Sequence, residues 1–150
     1  MESKEDSLLP IWHARDLRRA GREEEAQAVY QDMWRHAAER GDDYGACVAA
    51  HMLGVSEPMP LDEKLRWHLE SLERANQVAD GRAAKLYASI YSNLGYVYAH
   101  SNRHDEAREA YRVARRHTKA LDDDVYGRGL RAQIDWALGQ LDTEDRHPSD

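Results

Sequence analysis

The stretch that decides the fold is Tyr91 to Ala114, YSNLGYVYAHSNRHDEAREAYRVA. Tyr91, Leu94 and Tyr98 recur at three- and four-residue steps, and so do Ala107, Tyr111 and Ala114, with a polar turn between the two sets. Such steps put each set on one face of a helix. Two apolar stripes of this kind must bury themselves, and the short turn makes them bury each other. Gly95 and Ala107 are the small residues on the facing stripes, which allows the axes to approach to the short end of the usual ~8–10 Å range.

Working outward, the same signature returns. The Leu-Gly pairs at Leu53, Leu94 and Leu138 are separated by 94−53 = 41 and 138−94 = 44 residues. Ala26, Leu65 and Ala107, read as opening the stripe of each second helix, are separated by 65−26 = 39 and 107−65 = 42. The sequence therefore predicts helices over about 7–20, 22–40, 43–56, 61–79, 82–101, 104–120 and 123–141. Gly21 and Gly41 stop the first two, and Asp42 or Asp43 caps the third. Pro58 and Pro60 break the chain, and Leu65, Leu69 and Leu72 supply the buried stripe of the fourth helix. Asp80-Gly81 marks the next boundary, and Asp122 to Asp124 cap the seventh helix. Residues 1–7 and 142–150 are polar and read as flexible tails.

Composition sets the outer limits. With 150 residues, no Phe and a formal charge of −7, the chain is large enough for one core but short of bulky apolar residues. Ala, Tyr and Trp carry the stripes instead, as suits closely packed helices. The single Cys47 excludes an intramolecular disulfide framework. The lack of an apolar leader or a run of ~18 apolar residues argues for a cytoplasmic protein with no membrane partner. Acidic balance argues against nucleic acid.

Tyr91-x2-Leu94-Gly95-x2-Tyr98 followed by Ala107-x3-Tyr111 resembles the tetratricopeptide (TPR) repeat, W-x2-L-G-x2-Y then A-x3-F, with Tyr standing for Trp and Phe. The period exceeds the standard repeat of about 34 residues and is similar to the extended repeats of kinesin light chains and several bacterial regulatory TPR proteins. The resemblance implies an all-α superhelical solenoid with hairpins at about 8–40, 42–79 and 82–120 and a capping helix at 123–141. It covers roughly residues 7–141 as a single domain. The second hairpin has Ala50 in place of Tyr91, and in the first His13, Ala14 and Leu17 answer Leu94, Gly95 and Tyr98.

A TPR array implies a non-enzymatic scaffold that holds a peptide or helical segment of a partner in a groove lined by the first helix of each hairpin. On the fifth helix Ser89, Ser92, Asn93, Tyr96 and His100 lie beside the stripe and are polar or aromatic. The same spacing offers Trp12, Arg15 and Arg19 on the first helix, His51 and Met52 on the third, and Trp136 and Gln140 on the seventh. Asn93 is singled out because an amide donates and accepts together and so matches a peptide unit, and because Tyr91-Ser92-Asn93-Leu94 resembles the segment in which peptide-binding TPRs hold the ligand main chain. The clamp that some of them use for a C-terminal carboxylate is not reproduced. Ile11 and Arg15 stand where its Lys and Asn would be, and Ile134 or Trp136 and Leu138 or Gln140 stand where its later basic residues would be.

Other chemistry has less support. His100 and His104 straddle a turn, and the remaining histidines, His13, His36, His51, His68, His117 and His147, share no spacing, so all read as solvated groups rather than metal ligands. Cys47 reads as a small core residue. Arg112, Arg115, Arg116, His117 and Lys119 complement the helix dipole and read as a solvated face ahead of a phosphate site. No cofactor or catalytic motif appears. The alternative to the adaptor reading is a self-association module forming a homodimer through Trp12 or Trp136, or a regulatory subunit; an enzyme with an unrecognised site is the residual.

Overall fold

The computed structural model describes residues 9–146, with side-chain surroundings given for 13–143. Among the described residues seven α-helices run in order: α1 Leu9–Arg19, α2 Glu23–Glu39, α3 Asp43–Gly54, α4 Leu61–Gln77, α5 Tyr87–His100, α6 His104–His117 and α7 Val125–Arg146. Short 3-10 turns occupy Arg82–Lys85 and Thr118–Ala120, and no strand occurs among the described residues. The fold is all-α, and packing divides it into two compact units, Met1–Val78 and Ala79–Asp150. The division falls where the sequence places the end of the second hairpin.

Helix ends follow local chemistry. Gly21 and Gly41 take positive φ (77° and 70°), and Asn102 does the same between α5 and α6 (φ 58°). Each lets the next amide reach back across the helix end: Arg22 N to Leu17 O at 2.8 Å, Asp42 N to Ala37 O at 2.8 Å, Arg103 N to Tyr98 O at 2.9 Å. These bonds satisfy carbonyls that a helix end would leave open. Asp42 caps α3 by accepting from Gly45 N at 2.9 Å, and within the acidic trio Asp124 accepts from Gly127 N at 2.7 Å. Two boundaries differ from the sequence reading by more than three residues. The fifth helix becomes α-helical only at Tyr87, because positive φ at Gly81 starts a tighter 3-10 turn first. The seventh continues through Arg146, so residues 142–146 are helical; the other tail positions lie outside the described residues.

In the first unit α1 packs on α2, α2 on α3 and α3 on α4. Ala14, Leu17, Ala26, Tyr30 and Leu53 form one buried cluster, flanked by Met33, Trp34, Met52 and Trp67. In the second, α5 packs on α6 and α6 on α7, around Ala88, Ala107, Tyr111, Ala114, Leu130, Ile134 and Leu138.

The stripe expected on α4 is displaced by one residue. Leu69 is 43% exposed and Leu65 and Leu72 are half-buried, whereas Lys64, His68, Ser71 and Ala75 face inward. The inward set matches α6 in register, 107−64 = 43, 111−68 = 43 and 114−71 = 43, and matches α2 as well, 64−26 = 38 and 68−30 = 38. Position decided the matter. A ring is seated against the glycine of the preceding helix, and His68 fills on Gly54 the place that Tyr111 fills on Gly95. Hydrophobicity alone pointed to the leucines beside it.

Candidate functional site

On α5, Ser89, Asn93, Tyr96 and His100 follow one another at steps of four, three and four residues, so they share a face turned away from Tyr91, Gly95 and Tyr98. Tyr96 is 44% exposed and lies 4.0 Å, ring to ring, from His100, whose Nδ1 sits 2.9 Å from the Tyr96 carbonyl oxygen. The two rings thus form one exposed aromatic ledge. Ser89 and Asn93 are half-buried beside it. Ser92 differs: at 2% exposure it belongs to the packing and offers nothing to a ligand at the surface.

On α7, Trp136 is 68% exposed and Gln140 is exposed. Val125, Gly129, Ala132 and Trp136 share the face opposite Leu130, Ile134 and Leu141. At the basic end of α6, Arg112, Arg116 and Lys119 are exposed, Arg115 and His117 have partners, and Arg131 of α7 lies beside them. Arg115 Nη2 pairs with Asp135 at 2.9 Å, while Arg131 Nη2 donates to the carbonyls of Thr118 and Leu121 at 2.9 and 3.1 Å. His117 stacks on Tyr87 and Tyr91, with centroids 4.9 and 5.8 Å away.

In the first unit the residues proposed from sequence are dispersed. Arg15 is half-buried and Arg19 exposed on α1. Trp12 lies on the same helix with its side chain outside the described residues. Met52 packs against the core, and His51 is half-buried. The organising residue is one the sequence reading passed over, Arg18. Its Nη2 donates to Ser56 Oγ at 2.8 Å and to Met52 O at 3.2 Å, its Nε donates to Glu23 at 3.1 Å, and its guanidinium lies 5.4 Å from the Tyr30 ring centre. Glu23 Oε1 also accepts from Glu57 N at 3.1 Å, and Glu57 pairs with the buried Lys64. One chain of charges therefore ties α1 to the loop after α3 and to α4. An Arg directly after a buried pair, Ala14-x2-Leu17-Arg18, was the available signal, and it is too weak to be read without the partners.

The expected solvated state fails for three histidines. His68 is 2% exposed, its pKa driven to about 3 chiefly by burial and secondarily by the nearby His51. His51 is lowered to about 4 by burial, and the two rings stand 6.2 Å apart. His117 is the third, through its tyrosine stack. At neutral pH the His51–His68 pair is uncharged, so the two rings meet edge to face, at 63°, without like-charge repulsion. Cys47 is fully buried, and burial raises its thiol pKa, which favours the protonated form. Its Sγ lies 3.4 Å from Ser71 Oγ. Among the described residues no group of three His, Cys, Asp or Glu is placed to hold a metal ion, and no helix is long and apolar enough to cross a membrane.

No protein-family model matches the chain, and no curated protein matches it significantly.

Proposed function

We propose that this protein is a non-enzymatic interaction scaffold of the TPR type, which holds a segment of a partner protein on the face of α5 that carries Asn93, Tyr96 and His100. The observation that carries the reading is the aromatic ledge: an exposed Tyr96 held against His100 on a helix whose opposite side is committed to the core. An exposed ring that is already ordered by a neighbour loses little freedom on binding, which favours it as a contact residue. Three features support the repeat assignment: helix pairs joined by short turns, a ring packed on glycine in each of two hairpins, and the common register of α2, α4 and α6. Cross-linking of partners from the native source, compared between wild type and Tyr96→Ala, tests the proposal. Loss of a partner from a folded variant is the expected result, and an unchanged partner set rejects the ledge as the site.

A second reading, self-association, draws on the outward face of α7, where Trp136 and Val125 are exposed and a side chain at Gly129 would meet nothing within 4 Å. Sedimentation over a concentration series decides it; a monomer throughout removes this reading and leaves the first intact.

A further inference from the structure

The surface of the first unit holds a recess that neither reading uses. Trp34 of α2 and Trp67 of α4 meet edge to face, with ring centres 5.2 Å apart and planes at 82°. Together with Gln31, Glu63, Arg66 and Glu70 they line a shallow pocket of about 430 Å³. Trp34 is fixed in place because its Nε1 donates to Glu70 Oε1 at 3.1 Å. Glu70 is held in turn by Arg74 Nε at 2.7 Å, and Arg74 by Asp43 at 3.1 Å. The Trp34 wall is thus braced by a chain of three charged residues, and Trp67 stands against it at a right angle through the ring contact.

Charge at the rim decides what would fit. Glu70 is already neutralised by Arg74, while Glu63, one turn before Trp67, makes no ion pair among the described residues. An indole face attracts a cation, and most often a guanidinium, which can stack on the ring and point its N–H groups at a carboxylate. The chain's formal charge of −7 favours approach of a basic partner. Arg66 on the rim opposes it. From these features we infer that the Trp34–Trp67 recess binds an arginine side chain presented by a basic segment of a partner protein, with the indoles as walls and Glu63 as counter-charge. The recess lies on the second helices of the hairpins and is independent of the α5 ledge.

The test is titration of the full chain with the capped tripeptide acetyl-Gly-Arg-Gly-amide while the indole N–H resonances are followed. The neutral citrulline analogue of the same peptide serves as control. Binding should move the Trp34 and Trp67 signals, leave Trp136 in place and be absent with citrulline. Glu63→Gln should weaken it by ~3–10-fold, and Arg66→Gln should strengthen it by a similar factor, since each changes one unit of charge beside the cation. Both positions are on the surface, and melting curves establish that the variants are folded. No movement of the two indoles at millimolar peptide, an equal response to citrulline, or identical affinities in both variants overturns the inference. Tyr96→Ala should bind the tripeptide as wild type does, which separates this outcome from the fate of the ledge.

Discussion

The α3–α4 and α5–α6 hairpins solve one packing problem with opposite chemistry. In both, a glycine of the first helix lies under a ring of the second so closely that an added Cβ would overlap the His68 ring at Gly54 and come within 2.7 Å of Tyr111 at Gly95. Three ring atoms stand at nearly equal distance in each case, so the ring presents its face to the helix. Around Tyr111 the neighbours at this register are Ala107 and Ala114, whereas around His68 they are Lys64 and Ser71, both buried. The shared geometry requires a flat group of a certain size, and it does not require that group to be apolar. Polarity has a cost, since the buried His68 Nδ1 finds no hydrogen-bond partner, and an orphan of that kind costs ~1–3 kcal/mol.

Removing the rings is the most severe way to break the comparison. Tyr111→Ala should destabilise the protein by ~3–5 kcal/mol in urea titrations, as for other large aromatic side chains deleted from a core. His68→Ala should cost less, because it also removes an unsatisfied nitrogen. Equal losses would mean that the polarity of the second ring carries no penalty.

Acid and alkali probe the same contrast more gently. For His68 and His51 the folded pKa lies at about 3 and about 4, below the reference 6.5. The unfolded chain therefore takes up protons first, so stability is complete above pH 6.5 and falls as the pH drops toward 4. The loss should be on the order of 3 kcal/mol for the His68 ring, since each tenfold change in proton affinity corresponds to about 1.4 kcal/mol. Tyr111 behaves in the opposite sense: its pKa is raised by burial from 10.0 to about 12. Its contribution is complete below pH 10 and is lost as the pH rises toward 12, by about 2–3 kcal/mol. His68→Phe should flatten the acid limb alone and Tyr111→Phe the alkaline limb alone, as read from melting temperatures across pH. A variant that shifted both limbs equally would break the assignment.

The smallest effects sharpen the picture at the glycines. Gly54→Leu and Gly95→Leu should each lose ~1–3 kcal/mol or more by overpacking. At Gly139, the glycine of the third Leu-Gly pair, an added Cβ would meet nothing within 4 Å; there Gly139→Ala should gain ~0.5–1 kcal/mol from helix propensity. Denaturation midpoints for the three variants check this, and a loss at Gly139 would mean that a neighbour closes over that position.

Much of this was legible in the residues because it rests on local rules. Gly21, Gly41, Asp42, Asp124 and the Pro58–Pro60 break act within a few residues of themselves, and they placed the helix ends. The α5–α6 hairpin was legible for a different reason: its stripes are apolar, so pattern and packing coincide. On α4 they diverge. Leu65, Leu69 and Leu72 outrank Lys64, His68 and Ser71 on any hydrophobic scale, yet Gly54 selects the ring of His68, and Lys64 is tolerated inside because Glu57 reaches it. The shared face of Tyr96 and His100 is legible from spacing, whereas the burial of Ser92 is not, because exposure depends on what packs beside a helix. The Trp34–Trp67 recess joins residues more than thirty positions apart, and no short motif announces it.

Sequence by itself determined that the described residues form a run of seven helices, where most of them start and stop, and that a Leu-Gly pair recurs in alternate helices, α3, α5 and α7. Periodicity and end-capping are properties of neighbours along the chain and need no knowledge of the rest. Tertiary structure alone decided which face of α4 turned inward, that Arg18 would bind α1 to the segment after α3, and that two tryptophans would meet at a right angle beside a carboxylate. Those outcomes depend on which distant groups can satisfy a buried charge or fill the space over a glycine, and linear order does not record that.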